Sequence, residues 1–247
     1  MSGHSRWSTI KRKKEKSDAQ KGKIFTKIGR ELSVAAREGG SDLNVNFKLR
    51  ECIIKARSFN VPNENIERII KKAVSSDNSE NYEAFSYEGY GPSGVAFIVD
   101  ILTDNRNRTA ANLRRYFDRS GGNLGTPGCV SFMFNQKGVI IIEKSGLSEE
   151  VVMTDAIEAG AADFQVEDEV FVIIAERKDY ENVNKKLKKY RFISSQLSMV
   201  PDSYIKINDT NTKNSVLNFI DILENDDDVQ DVWHNCELNY ASEADND

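Results

Sequence analysis

The chain has 247 residues, 39% of them hydrophobic and 30% charged, more than one small core requires, so two or three domains are expected. Its formal charge of -5 hides an asymmetry: residues 1–76 hold eighteen Lys and Arg against eight Asp and Glu, net +10, and the remainder is -15. No apolar run approaches the ~20 residues that span a bilayer, the basic start lacks the apolar centre of a signal peptide, and Cys52, Cys129 and Cys236 form no CxxC pair, which argues against a disulfide scaffold or a zinc site. A reducing, cytoplasmic setting follows.

The first thirty residues concentrate the charge. Arg6, Lys11, Arg12, Lys13, Lys14, Lys16, Lys21, Lys23, Lys27 and Arg30 face only Glu15 and Asp18, leaving a segment near +8. Such a cluster attracts phosphate by Coulomb interaction and by releasing condensed counterions, and His4 and Trp7 are suited to stack on bases or ribose. The bland alternative is a solvated basic tail. An acidic body repelled by nucleic acid would orient the basic end toward it, which favours a bound partner.

From Asp18 the pattern is helical, with Ile24, Ile28, Leu32 and Ala35 on one stripe and Gly39-Gly40 as the stop. A second helix is expected over Asn46 to Phe59, and Val61-Pro62-Asn63 breaks it while offering Asn63 as the N-cap of a third helix bearing Ile66, Ile69, Ile70 and Val74. Three short helices with facing stripes predict one small bundle carrying an N-terminal arm, residues 1–78, with Ser75 to Asn81 as a linker.

Beyond it the period becomes two, and strands are expected around the turn Gly89 to Gly94, which lacks the Lys-Ser/Thr of a P-loop. Thr103-Asp104-Asn105 caps a helix that ends at Gly121-Gly122. The arginines on it read mainly as solvated surface, with Arg106 and Arg108, at its start, as the binding candidates. Strands are expected over Cys129 to Phe134 and Val139 to Ile142, separated by a turn Asn135-Gln136-Lys137-Gly138. From Val139 to Val200 the order is strand, helix, two strands, helix, strand, that of a ferredoxin-like unit. The segments before it (95–102, 106–120, 129–134) and after it (204–207, 211–224, 229–234) give the same order when joined. The predicted fold is therefore α+β: an N-terminal three-helix domain followed by two ferredoxin-like α/β domains, one inserted in the other. The split domain is 79–134 plus 201–240, the inserted one 135–200, and 241–247 an acidic tail.

Catalysis would need convergent groups, and His4 and His234 are the only imidazoles. No HExxH, GxSxG or Cys-His signature occurs. Glu224, Asp226, Asp227, Asp228 and Asp231 can be read as a magnesium site for a phosphotransferase or nuclease, but they lack EF-hand spacing and a base; an exposed acidic turn, able to dock on the basic domain, is the expected alternative. No cofactor, metal or small-molecule substrate is indicated.

The segments GHSRW (3–7), GKIFTKIGREL (22–32), NENIERIIKKA (63–73), YEGYGPSGVA (87–96), LTDNRNRT (102–109), GGNLG (121–125) and DDVQDVWHN (227–235) resemble the YebC/PmpR family, whose mitochondrial members include a translational activator of cytochrome c oxidase. The resemblance spans nearly the whole chain. It implies a three-domain cytoplasmic protein that regulates transcription by binding DNA; other members are associated with the ribosome and with translation through difficult nascent sequences. His4, Arg6 and Trp7 fit the family's opening motif, with Arg6 where Lys is frequent, and Lys11 to Lys14 keep its basic run. Glu15 to Asp18 are more polar than the alanine-containing stretch of the family, which leaves the helix start open, and the absence of an extension before Met1 fits a bacterial-type member. The expected function is non-enzymatic regulation of gene expression through DNA, with ribosomal RNA as the alternative partner.

Overall fold

Why the basic third of the chain folds at all is decided by one apolar seam. The computed structural model describes residues 7–12, 18–75 and 82–237. A helical segment, α1, covers residues 7–12, followed by α2 (Asp18–Gly39), α3 (Phe47–Ser58) and α4 (Asn63–Ser75). Ile28, Leu32, Ala35 and Ala36 of α2 close on Leu49, Cys52, Ile53 and Ala56 of α3 and on Ile66 and Ala73 of α4, an amphipathic arrangement in which each stripe has no other place to hide from water. Asn46 joins two helix ends: its side chain accepts from the Leu49 N–H at 2.9 Å and donates to the Ala35 and Gly40 carbonyls at 2.7 Å. Asn63 does not cap α4. The Ile66 N–H donates to the Pro62 carbonyl, so Pro62 holds the cap position, where a missing N–H costs nothing, and Asn63 instead accepts from Arg57 Nε at 3.2 Å.

Two antiparallel sheets follow. The first is built from β1 (Glu83–Tyr90), β2 (Ala96–Thr103), β3 (Asn123–Leu124) and β9 (Val229–His234), in the order β3-β1-β2-β9. Its helices, α5 (Arg106–Arg119) and α8 (Thr210–Asn225), press Leu113, Phe117, Phe219 and Leu223 onto Phe97, Val99, Ile101 and Val232. Asn105 and Asp209 cap them through the Arg108 and Thr212 N–H groups. The second sheet comprises β4 (Phe134–Glu143), β5 (Asp163–Val166), β6 (Val170–Glu176) and β7 (Phe192–Pro201), in the order β5-β6-β4-β7, with α6 (Glu149–Ala159) and α7 (Tyr180–Lys186) on one face. Ile140, Ile142, Phe171 and Ile173 meet those helices, while Val139, Ile141, Val172 and Val200 point the other way, where Trp7 and Ile10 of α1 cover them. Both faces of this sheet are buried, which is why β4 and β6 read as continuous apolar runs.

Three further expectations are corrected. Residues 129–133 are not a strand, because the Glu88 carboxylate accepts from the N–H groups of Gly128, Val130 and Ser131 at 2.8–2.9 Å and bends the segment away from any ladder. Asn135 to Gly138 are not a turn but part of β4, paired with β7 from Phe134 opposite Pro201 onward; Gly138 is there for space, since a Cβ would lie 2.2 Å from Tyr180 Cδ2. Residues 204–207 do not enter the first sheet. β8 (Ile205–Lys206) pairs in parallel with β10 (Cys236–Glu237), and β1, which precedes the expected unit, takes the place beside β2 and β3 that β6 takes in the second sheet. No helix among the described residues is long and apolar enough to cross a membrane.

Candidate nucleic-acid interface

The cations singled out in the sequence divide into those that face the protein and those that face outward. Trp7 is 8% exposed and packs with Ile10 on the apolar face of the second sheet. An indole there cannot stack on a base, so its expected role is corrected: it anchors α1. Arg12, at the other end of α1, donates through Nη1 to Asp221 at 2.7 Å and through Nη2 to Glu224 at 2.9 Å. Lys27 is buried, and its Nζ donates to the Glu224 carbonyl at 2.6 Å. Arg30 donates to the Asp227 carbonyl at 2.9 Å and lies 3.9 Å from the Asp228 carboxylate. These three close on the C-terminal end of α8, where unpaired carbonyls, the negative end of the helix dipole and two acidic side chains all attract positive charge. Lys27 is thereby turned inward, and Arg12 and Arg30 are engaged within the chain rather than left to phosphate alone.

Arg108 also pairs within the chain, although its side chain stays about half exposed. Its Nη2 reaches both oxygens of Asp228 at 3.0 and 3.1 Å and Asp104 at 2.7 Å, and Thr109 Oγ1 donates to Asp228 at 2.7 Å. Burial pushes the Asp228 carboxyl up, but the hydrogen bonds from Thr109 and Arg108 outweigh it and hold the group below the usual carboxylate range. Asp226 accepts from the Tyr116 hydroxyl at 2.9 Å. The turn expected to be exposed is thus partly interior: Asp228 is buried, and a cleft of about 400 Å³ brings Arg30 and Arg108 together around Asp226, Asp227 and Asp228. With guanidinium groups already on its oxygens this turn is poorly suited to magnesium, and among the described residues no group of three or more His, Cys, Asp or Glu is placed to hold a metal ion.

Outward-facing positions remain. Lys23 is exposed, Lys11 is exposed with Glu169 at 3.6 Å, and Lys21 is half-buried. Arg106 lies over the Phe85 ring at 4.5 Å, with Glu83 at 4.0 Å. On the helical unit Arg57, Arg68 and Lys71, none of them singled out by the sequence, are also exposed. His4, Arg6, Lys13, Lys14 and Lys16 lie outside the described residues.

Sequence reasoning missed the junction that fixes the helical unit on the sheets. Lys55 Nζ donates to Glu31 at 2.7 Å and Asp231 at 3.1 Å, joining α3, α2 and β9; burial alone would lower its pKa, but the two carboxylates hold it above the ordinary lysine value. Trp233 Nε1 donates to Asp100 at 2.6 Å. These groups line a cleft of about 280 Å³ that also takes in Glu51 and Leu197 of β7. Burial pushes Glu51 up to about 7 against the pull of nearby Tyr180 and Lys55. His234 is buried, accepts from the Cys236 N–H, and is lowered to about 4 by desolvation and by Arg12, so it is a neutral interior residue at neutral pH. Lys55 and Asp231 are 176 residues apart, and no local pattern marks such a pair.

Comparison with known proteins places this architecture. Residues 5–76 match the sequence family described as "TACO1/YebC protein N-terminal domain", and residues 82–236 that described as "TACO1/YebC second and third domain". A relative from Finegoldia magna is 52% identical over 237 residues, 95% of this chain and 98% of its own length. One from Clostridium acetobutylicum is 48% identical over 247 residues, 99% of this chain and all of its own; both carry the name "probable transcriptional regulatory protein". The crystal structure of a conserved hypothetical protein from Aquifex aeolicus superposes with a TM-score of 0.81 at 42% identity, covering 92% of this chain and 94% of that one. With both family descriptions matched across the helical unit and the two sheets, the chain belongs to the TACO1/YebC family.

Proposed function

We propose that the protein regulates gene expression without catalysing a reaction, by binding nucleic acid through the outward-facing cations of its N-terminal third. The observation that carries this reading is the separation of charge, +10 over residues 1–76 and -15 over the rest. Such a dipole presents one end to a polyanion and repels it from the other. Lys11, Lys21 and Lys23 belong to this contact, together with His4, Arg6, Lys13, Lys14 and Lys16 of the same basic run. Arg57, Arg68 and Lys71 widen it, and Arg106 forms an outlying point. DNA is the partner suggested by the relatives' names, and the contacts are mainly to phosphate, which supply affinity and position but no sequence.

Ribosomal RNA is the second reading, and α4 favours it. α4, which follows α3 after a short turn, exposes Glu64 and Glu67 at its start. Acids there oppose insertion into a major groove, where a recognition helix places its leading residues, whereas backbone contact with folded RNA is unaffected. Crosslinking the protein to nucleic acid in cells and sequencing what is attached tests both readings. Promoter DNA supports the first, ribosomal RNA the second, and recovery no better than from an uncrosslinked sample contradicts both.

A further inference from the structure

The cleft beneath the helical unit is walled by all three parts of the fold. Val34 and Glu51 come from α2 and α3, Ile101 and Gln230 from β2 and β9, and Leu197 from β7. Its volume of about 280 Å³ lies near the lower end of small-molecule pockets, ~300 Å³. Most of its charged groups are already paired: Lys55 holds Glu31 and Asp231, Asp100 accepts from Ser86 and Trp233, and Lys48 turns to Glu38. Two polar side chains are not. Glu51 is approached by Tyr180 and by the Leu197 N–H, but its Oε1 is shielded from water without a hydrogen-bond partner, and so are both Oε1 and Nε2 of Gln230. A buried polar atom in this condition carries its full desolvation cost, and here both side chains line the same cleft.

Charge narrows what could fill it. The lining holds Glu31, Glu51, Asp100 and Asp231 against Lys48 and Lys55, so an anion is repelled. A bare metal ion has no use for Val34, Ile101 and Leu197, and among the described residues no group of His, Cys, Asp or Glu is placed to hold one. A neutral ligand would leave the Glu51 carboxylate buried without a counter-charge. We propose that the cleft binds a small organic cation, an amidinium or ammonium group on an apolar body, whose N–H groups donate to Glu51 Oε1 and Gln230 Oε1 while the body lies against Val34, Ile101 and Leu197. A ligand so seated touches the helical unit and both sheets and ties them together. The proposal stands independently of the nucleic-acid reading.

Benzamidine, a planar amidinium on an aromatic ring, is a suitable probe, and benzamide is its uncharged counterpart of nearly the same shape. The full-length protein can be titrated with each by calorimetry at pH 7.5, above the Glu51 pKa of about 7. Benzamidine is expected to bind at least about tenfold more tightly, the difference that one charge-assisted hydrogen bond makes. Glu51→Gln, which keeps the shape and removes the charge, is expected to abolish that preference, and Gln230→Leu to weaken benzamidine by about threefold or more. Equal binding of the two probes, or no measurable binding of benzamidine, would overturn the proposal. So would a benzamidine preference that persists in folded Glu51→Gln protein, because the cation would then sit elsewhere on the acidic surface.

Discussion

Lys11 and Arg12 are neighbours in a basic run, yet one points outward and the other is held between two carboxylates of α8. Their contrast extends through the N-terminal third: Arg12, Lys27 and Arg30 hold the helical unit on the C-terminal end of α8, whereas Lys11 and Lys23 face away. Local charge density says that a segment attracts anions. It does not say whether those anions belong to another molecule or to the same chain. The acidic patch read from the sequence as a magnesium candidate is, in the fold, where the chain's own guanidinium and ammonium groups land.

The contrast can be broken most severely by removing the surface on which α1 rests. We propose that residues 135–200 fold as one unit and that 79–134 with 201–240 form another, separate from 1–78. Phe134 and Pro201 are ladder partners, so a short linker can bridge them. Deleting 135–200 should leave a remainder that still melts cooperatively, at a lower temperature because α1 and α3 lose their support; a broad, non-cooperative melt in calorimetry would refute the division. A smaller break is Trp7→Ala, which removes the apolar anchor and should cost about 3 kcal/mol in denaturant unfolding, the low end for a buried Trp because α1 is short and can adjust. An unchanged midpoint would return Trp7 to the exposed set.

Arg12→Ala strands the buried Glu224 carboxylate and should cost about 1.5–3 kcal/mol, the range for hydrogen bonds to charged groups. Lys23→Ala, by contrast, should shift stability by less than about 0.5 kcal/mol. Equal losses would erase the distinction between inward and outward cations. Glu51 supplies the counterpart among acids, a buried carboxyl whose nearby cations do not offset its desolvation. Its folded pKa of about 7 lies above the ordinary 4.5, so the folded state holds a proton that the unfolded state has released, and stability falls as pH rises from 4.5 through 7. His234 works oppositely: lowered from 6.5 to about 4, it makes stability rise with pH between those values. Glu51→Gln should therefore raise the melting temperature relative to wild type more at pH 7.5 than at pH 5. A difference constant with pH would show that Glu51 is not buried as described.

Much of the fold was legible because it rests on periodicity. The apolar stripe from Ile28 to Ala35, the Asn105 cap and the continuous apolar runs of β4 and β6 each report their own burial. Elements that depend on distant residues were not. Nothing near Cys129 says that Glu88 will take its neighbours' N–H groups, and Gly138 looks like a turn glycine until Tyr180 lies against it. The same limit applies to the candidate interface: Arg12 and Glu224 are separated by 212 residues, and only the docking of α1 between the sheets shows that Arg12 is occupied.

The central claim is that cations of the N-terminal third contact phosphate, and the salt dependence of binding tests it most directly. Lys11, Lys13, Lys14 and Lys16 replaced by Ala should leave the melting temperature unchanged and weaken binding to duplex DNA. The slope of log affinity against log salt should flatten by about 1.8 or more, half of the about 3.6 that four phosphate contacts would give. An unchanged affinity and slope, on DNA and on ribosomal RNA alike, would contradict the account and leave the run a solvated tail.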